Sequence, residues 1–223
     1  MKKLAGALLL LVAVDAAAGV SYRLESSTGT SGRVISEGTN LRLEMENGSV
    51  LITSDGGKTL TILDPARKTF STMGATDLVG IDVAIVNPKT AARDLGDGGL
   101  LQGYPTRKWS VETSFDATIE TFTIHVTLRS ESWRTERLPE AAATILAGQS
   151  ARTGIAAIDK LLESMASAKV KGFPLKETTT IRTKGAAGDE NSVTSTVAVH
   201  DVRRVATTPA QFVVPAGYKR ASR

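Results

Sequence analysis

The sequence predicts an α+β fold that is mostly β: one curved antiparallel sheet with one or two helices laid against it. Apolar and polar residues alternate with a period of two over most of the chain, as they do in half-buried strands. Turn motifs rich in Gly, Asn and Asp separate these runs at short, regular intervals. One longer stretch, residues 151–169, repeats its apolar residues every three or four positions instead, which is typical of an amphipathic helix.

The N-terminus has the layout of a secretory signal peptide. Lys2 and Lys3 precede an apolar run at residues 4–14, and small residues follow up to Ala18 and Gly19. The run is shorter than the roughly 20 residues that cross a bilayer. We therefore expect a signal peptide at residues 1–18, cleavage between Ala18 and Gly19, and one domain at residues 19–223 in the periplasm or outside the cell. An uncleaved N-terminal anchor is the alternative.

The composition of the chain indicates which kinds of binding partner are to be expected. The formal net charge is +4, and aromatic residues make up 4% of the chain, with no Lys/Arg stripe interleaved with aromatics. This pattern predicts no nucleic-acid partner. The sequence contains no cysteine, so the protein is not lipidated at a cysteine, and its stability has to come from core packing and strand pairing. After residue 14 we expect no transmembrane segment.

The first half of the chain reads as a meander of short strands. Leu41, Leu43 and Met45 alternate with charged residues, and the Asn47-Gly48 pair that follows predicts a hairpin turn with positive φ at both positions. Further strands are expected at residues 50–53, 58–63 and 69–73, with turns at 55–57 and 64–67.

The middle of the chain is less regular. Residues 81–86 predict a strand or a buried segment that Asn87-Pro88 ends, and the Gly- and Asp-rich residues 94–99 predict a turn. The clearest strand is 121–129, whose one face carries apolar residues and whose other face is rich in Thr. The apolar face consists of Phe122, Ile124, Val126 and Leu128.

After residue 133 the spacing of the apolar residues changes from every second position to every third or fourth. A short helix is expected at 139–146, and a longer one at 151–169, with Ser150 as its N-cap and Gly172 beyond its end. Its apolar stripe consists of Ile155, Ile158, Leu162 and Met165. Either this helix simply caps the sheet core, or it is a lid over an apolar cavity. Strands at 175–183 and 192–203 complete the sheet, joined by a turn at 185–190.

Catalytic and metal-binding motifs are not found. The chain has only two histidines, His125 and His200, both on predicted strands, and it has neither the cysteines nor the HExxH motif typical of zinc sites. No serine lies in a G-x-S-x-G turn. We therefore predict no enzyme activity, no metal and no cofactor. An enzyme would require a cluster of polar residues around His125 or His200 inside a cleft, and the structure decides whether the two imidazoles and a carboxylate converge.

Several segments, in their order along the chain, carry a resemblance to a known family. They are residues 59–70 with Asp64-Pro65, residues 103–108 (Gly-Tyr-Pro-Thr-Arg-Lys), residues 131–135 around Trp133, residues 171–176, and the closing Phe-Val-Val-Pro-Ala-Gly-Tyr at 212–218. The chain resembles exported bacterial proteins with a DUF4412 domain, whose activity is unassigned. These resemble in turn the periplasmic lipoprotein carriers LolA and LolB.

The resemblance implies a single domain with a highly curved antiparallel sheet, an incomplete barrel, whose concave face is partly covered by helices. In the carriers this face holds acyl chains, and no catalytic residues are implied. We therefore expect a periplasmic binding or carrier module for a lipid or a lipoprotein acyl chain. Its expected apolar lining is Leu41, Leu43, Met45, Phe122, Ile124, Val126, Leu128, Ile155, Ile158, Leu162 and Met165. The alternative is a structural module of the cell envelope that binds another protein at a sheet edge or on the convex face.

Overall fold

The computed structural model describes residues 18–29, 31–74, 83–119, 122–138, 156–166, 168, 170–185 and 188–221. Within these residues the chain forms one twelve-stranded sheet in the order β12-β6-β5-β4-β3-β2-β1-β11-β10-β9-β8-β7. The strands are β1 (Ala18–Ser26), β2 (Gly32–Glu37), β3 (Asn40–Met45), β4 (Val50–Thr53), β5 (Thr59–Asp64), β6 (Thr69–Gly74), β7 (Val83–Leu101), β8 (Tyr104–Ile119), β9 (Phe122–Thr135), β10 (Phe173–Gly185), β11 (Glu190–Ala206) and β12 (Lys219–Arg220). Helix α1 spans Ala156–Ala166, and a 3-10 turn spans Pro209–Phe212.

Two antiparallel meanders make up the sheet. Strands β1 to β6 are short and pair in chain order, and the long strands β7 to β11 do the same. The meanders join where β1 pairs with β11, with Leu24 opposite Val199. Every pairing is antiparallel except that of β12 with β6. The predicted fold class is therefore confirmed: a mostly-β, open, curved sheet consistent with an incomplete barrel, with a helix against it.

Strand register separates the side chains into two faces. We call the face on which α1 packs the inner face and the opposite one the outer face. Two apolar clusters lie on the inner face. Cluster 1 contains Val20, Tyr22, Leu24, Val34, Leu41, Leu43, Leu138, Phe173, Leu175 and Val199, and cluster 2 contains Phe115, Ala117, Val126 and Leu161.

The outer face has its own apolar cluster, but only on the short strands. Cluster 3 consists of Val50, Ile52 and Leu63, with Phe70, Val214 and Tyr218 packed against it. Val214 and Tyr218 belong to the C-terminal segment, which crosses this face before β12 pairs with β6. The end of the chain therefore covers the outer face of β4 to β6.

Two predicted breaks are wrong. The Asn87-Pro88 pair and residues 94–99 lie within β7, where the register with β8 shifts between Val86 and Lys89 and twice more between Asp94 and Gly99. Each shift is a bulge, which absorbs extra residues without ending the strand. The positive φ of Gly96 and Gly99 makes two of these bulges easy to form, because glycine carries no Cβ. The real turn is at Gln102-Gly103.

The turn between β3 and β4 is also a different type from the one predicted. Only Gly48 has positive φ there, not Asn47. The N–H of Gly48 bonds to the carbonyl of Met45, and the N–H of Met45 bonds to the carbonyl of Ser49. The connection is therefore a three-residue loop with glycine in the left-handed position, which is the next commonest hairpin after the two-residue form.

Several other expectations fall outside the described residues: the signal peptide up to residue 17, the short helix at 139–146, the N-cap Ser150, and Ile155. Helix α1 is the described part of the predicted 151–169 helix. Among the described residues, no helix has the length and hydrophobicity needed to cross a membrane.

Candidate hydrophobic binding face

The two sets of strand residues predicted to line a cavity lie on the same face of the sheet. Leu43 on β3 is opposite Val34 on β2. The pairs of opposite residues on the next strands show which side chains share this face across β1, β11 and β10. There Ile181 is opposite Leu128 of β9. Because side chains alternate along every strand, Leu41, Leu43 and Met45 share the inner face with Phe122, Ile124, Val126 and Leu128.

These residues nevertheless belong to different clusters. Leu41 and Leu43 are buried in cluster 1, and Met45 packs against it. Val126 is buried in cluster 2, where Ile124 and Leu128 pack against it, whereas Phe122 is 56% exposed.

Helix α1 covers cluster 2 through a residue that the apolar stripe omitted. Leu161 is the residue of α1 that is buried in cluster 2, and Met165 packs against the same cluster. Ile158 and Leu162 are half-buried. Leu161 lies four positions before Met165, so it shares the helix face that touches the sheet. The sequence has two adjacent leucines here, Leu161 and Leu162, and either could have belonged to the buried face. The predicted apolar stripe included only Leu162.

Hydroxyl groups separate the two clusters on the inner face. Thr113 and Ser132 are buried there. Thr90 and Thr113 share a hydrogen bond of 3.2 Å, and Ser130 and Thr179 share one of 2.7 Å. The hydroxyl of Ser164 on α1 also donates to Thr90, at 3.3 Å. These bonds satisfy the buried hydroxyl of Thr113 and tie the helix to β7.

An apolar strip extends from cluster 2 into solvent. Leu128, Ile181 and Val193 are directly opposite one another on β9, β10 and β11. Leu128 packs against cluster 2, Ile181 is 39% exposed, and Val193 is 56% exposed. Sequence reasoning missed the last two because each is a single apolar residue within a run of Thr and Ser. Only the strand register places them side by side.

Cluster 1 contains a polar atom without a partner. Tyr22 is 1% exposed and its ring meets that of Phe173 edge to face, with 5.3 Å between centroids. Within the described part of the chain, its hydroxyl is the buried side-chain polar atom that has no hydrogen bond. Leaving a buried hydroxyl unpaired costs about 1–3 kcal/mol. Burial raises the pKa of Tyr22 far above its usual range, so the group is a neutral hydrogen-bond donor.

The tip of the β7–β8 hairpin reaches over cluster 1. Leu101 and Tyr104 pack against the cluster, and Nε2 of Gln102 donates a hydrogen bond to the carbonyl of Val199 on β11. Just beyond Val199, the β1–β11 pairing shifts register, and Asp201 adopts positive φ. The tip therefore lies against β11, which is three strands away from β8 in the sheet.

The two histidines lie apart on the outer face. Nδ1 of His125 lies 2.7 Å from Asp116, and hydrogen bonds from His125 and Asn87 hold the pKa of Asp116 below its usual range. His200 lies 3.3 Å from Glu25. His125 is aligned through β10 with Glu190, ten residues before His200 on β11, so the imidazoles are about 33 Å apart along the strand. They do not converge on one site.

No metal centre is visible among the described residues. Within them, no three His, Cys, Asp or Glu side chains are arranged to hold a metal ion. The groove beside His125 has a volume of about 290 Å³ and is lined by polar side chains of β9, β10 and β11, among them Thr127, Arg182 and Ser192.

Trp133 lies on the outer face between two ammonium groups. Nζ of Lys108 is 4.6 Å from the centre of its ring, and Nζ of Lys176 is 5.0 Å away. Lys108 also pairs with Glu131 at 2.8 Å. This arrangement stabilises three neighbouring strands by cation–π contacts and charge pairing. Trp109, the other tryptophan, is half-buried on the inner face, opposite Ser132.

Comparison of the chain with models of known protein families and with curated protein sequences finds no match.

Proposed function

We propose that this chain is an exported binding or carrier module for a hydrophobic ligand, such as a lipid or a lipoprotein acyl chain, without catalytic activity. The observation that carries the proposal is the apolar strip of Leu128, Ile181 and Val193. It is a continuous apolar surface that leads from solvent to the edge of cluster 2 beneath α1. Exposed apolar surface of this kind is typical of ligand grooves and of contact sites. The resemblance to LolA-type carriers supports the same function.

The open sheet also supports a ligand on the inner face. A closed small barrel fills its interior with its own side chains, whereas an open curved sheet leaves part of one face to be covered by something else. Here α1 covers cluster 2, and Ile181 and Val193 stay exposed beside it. A bound acyl chain lying along the strip would remove both side chains from water.

The test uses the full chain, expressed in a bacterial host and purified without detergent. Native mass spectrometry and solvent extraction would detect a co-purified lipid, and titration with a fluorescent fatty acid would measure uptake. We expect a stoichiometric apolar adduct in the wild type. A clean apo mass together with no uptake of the fatty acid would overturn the proposal.

A matched pair of variants locates the site. Val193→Asp places a charge in the strip, and we expect it to weaken fatty-acid binding at least about tenfold, since a carboxylate resists burial against an acyl chain. Thr194→Asp places the same charge on the next, outward-facing residue and should leave binding unchanged. Equal effects of the two substitutions would show that the strip is not the site.

A protein-interaction module of the cell envelope is the second candidate, favoured by one observation. Three exposed apolar residues, Val86, Leu95 and Leu100, lie on β7, which forms an edge of the sheet. The bulges in β7 interrupt its backbone ladder, so a partner would contact these side chains more readily than extend the sheet. A photocrosslinker at Leu95 would then capture a defined envelope protein, while one at Thr180 on the outer face would not.

A further inference from the structure

The unpaired hydroxyl of Tyr22 is the feature that the hydrophobic-carrier proposal leaves unexplained. An apolar pocket that held only a hydrocarbon chain would be served as well by phenylalanine. A tyrosine whose hydroxyl is buried without a partner carries a cost that one added acceptor removes. Native proteins keep few such groups, and the partner of such a group is typically an ordered water or a bound molecule.

The surroundings of Tyr22 specify the kind of acceptor. Cluster 1 consists of hydrocarbon and aromatic side chains, and no Lys or Arg is buried among the residues that the structure describes. A carboxylate brought to this position would lose its hydration without gaining a counter-charge, which is strongly unfavourable. A neutral carbonyl oxygen, as in an ester or an amide, accepts the tyrosine hydrogen bond without that penalty. The hydroxyl is always available as a donor because Tyr22 stays protonated.

The tip of the β7–β8 hairpin is one of the groups that cover cluster 1. Leu101 and Tyr104 reach cluster 1 from a hairpin whose strands lie elsewhere in the sheet. One hydrogen bond, from Gln102 to the carbonyl of Val199, joins the tip to β11. Leu100 beside it is 73% exposed. An acyl chain that displaces the tip replaces apolar contacts with apolar contacts, so the exchange costs little.

We propose that cluster 1 binds an acyl chain linked through a neutral ester or amide, that the hydroxyl of Tyr22 donates a hydrogen bond to its carbonyl oxygen, and that Leu101 and Tyr104 fill this volume when the protein is empty. The proposal rests on the proposed carrier function and adds a second site, separate from the strip of Leu128, Ile181 and Val193. This site takes an esterified or amide-linked acyl chain rather than a free fatty acid or a plain hydrocarbon.

Three twelve-carbon probes test the ligand class: methyl laurate, laurate and dodecane. Each competes with N-phenyl-1-naphthylamine for delipidated full-length protein. For the wild type we expect methyl laurate to bind about tenfold more tightly than dodecane, equivalent to about 1.4 kcal/mol, and more tightly than laurate. Tyr22→Phe should remove the preference over dodecane and leave dodecane binding unchanged. An unaltered preference in Tyr22→Phe, or tighter binding of laurate than of the ester, would overturn the proposal.

Thermal unfolding of the empty protein gives a readout that needs no ligand. If the hydroxyl is unpaired in the empty state, Tyr22→Phe should leave the Tm unchanged or raise it by about 2–4 °C. A lower Tm with unchanged probe affinities would mean that the hydroxyl bonds only to an ordered water, and the proposal would fail. Tyr218→Phe, which removes a hydroxyl from a half-buried residue of cluster 3 on the outer face, is the matched control and should alter neither measurement.

The covering role of the tip has its own variant. Gln102→Ala removes the bond to Val199 and leaves Tyr22 in place, so methyl laurate should bind as tightly as in the wild type or up to about threefold more tightly. Weaker binding would contradict the tip's role as a cover. If the wild type binds no probe at all, the carrier function itself fails. If it binds all three equally, the carrier function stands, but the proposed ligand class and the role of Tyr22 both fail.

Discussion

The two meanders of this sheet are stabilised by different means on the same outer face. On the short strands β4 to β6 the outer face holds cluster 3, which the C-terminal segment covers. On the long strands β8 to β11 it carries hydroxyls, ion pairs and a tryptophan between lysines, all in contact with water. One half therefore relies on burial of apolar surface, and the other on cross-strand side-chain pairs.

The difference teaches how a protein without cysteines supports strands of unequal length. Burial needs a covering layer, and the C-terminal segment provides one over the short strands. Long strands have more ladder hydrogen bonds and more cross-strand pairs, such as Thr178 with Thr196 and Thr180 with Thr194. Each such pair contributes only a few tenths to about 1 kcal/mol, but the contributions accumulate along the strands.

The largest expected loss of stability comes from a substitution in cluster 3, on the half whose outer face is covered. Leu63→Ala removes a side chain that is almost fully buried in cluster 3, and we expect it to lower the free energy of unfolding by about 2–5 kcal/mol. Thr180→Ala, on the outer face of the long half, should cost less than about 1 kcal/mol. Urea unfolding of both variants checks the comparison. Comparable losses would show that the outer faces are not stabilised in different ways.

An intermediate effect is expected at Trp133. Trp133→Ala removes both cation–π contacts and the partly buried ring, and we expect a loss of about 1–2 kcal/mol. Trp133→Phe retains an aromatic face and should recover part of that loss. Denaturation at low and high salt separates the contributions, since salt screens the charges and not the ring packing. A loss in Trp133→Ala larger than that in Leu63→Ala would reverse the ranking of the two halves.

The smallest effect concerns the pH dependence of the long half. The hydrogen bond from Lys108 holds the pKa of Glu131 below its usual value of 4.5, and the nearby Arg129 lowers it further. A depressed folded-state pKa stabilises the protein above the ordinary pKa, and this stabilisation is lost as the pH falls through the folded-state pKa. Glu131→Gln should therefore cost about 0.2–1 kcal/mol at pH 7 and nothing measurable near pH 3. A constant difference between those pH values would indicate that the charge of Glu131 contributes nothing.

Local sequence patterns identified many residues of the candidate site, but they did not show how these residues are arranged relative to one another. The alternation around Leu43 and around Val126 identified inward-facing residues on two strands, and register places both on one face. Leu161, Ile181 and Val193 did not stand out, because a helix face is defined by what it packs on and a single apolar residue among threonines has no period. The sequence around Tyr22 did not identify it either, since whether its hydroxyl finds a hydrogen-bond partner depends on the groups that surround it in the folded protein.

The sequence by itself determined the mostly-β class, the positions of the turns between β3 and β6, and strands β9 to β11, because hydrophobic period and turn chemistry act over a few residues. Only the tertiary structure decided that β7 continues through Asn87-Pro88 and residues 94–99, since a partner strand can hold a bulged chain in register. It also decided that the C-terminal segment covers one outer face and that a hairpin tip reaches cluster 1. Such contacts join residues about a hundred or more positions apart, and no local pattern encodes them.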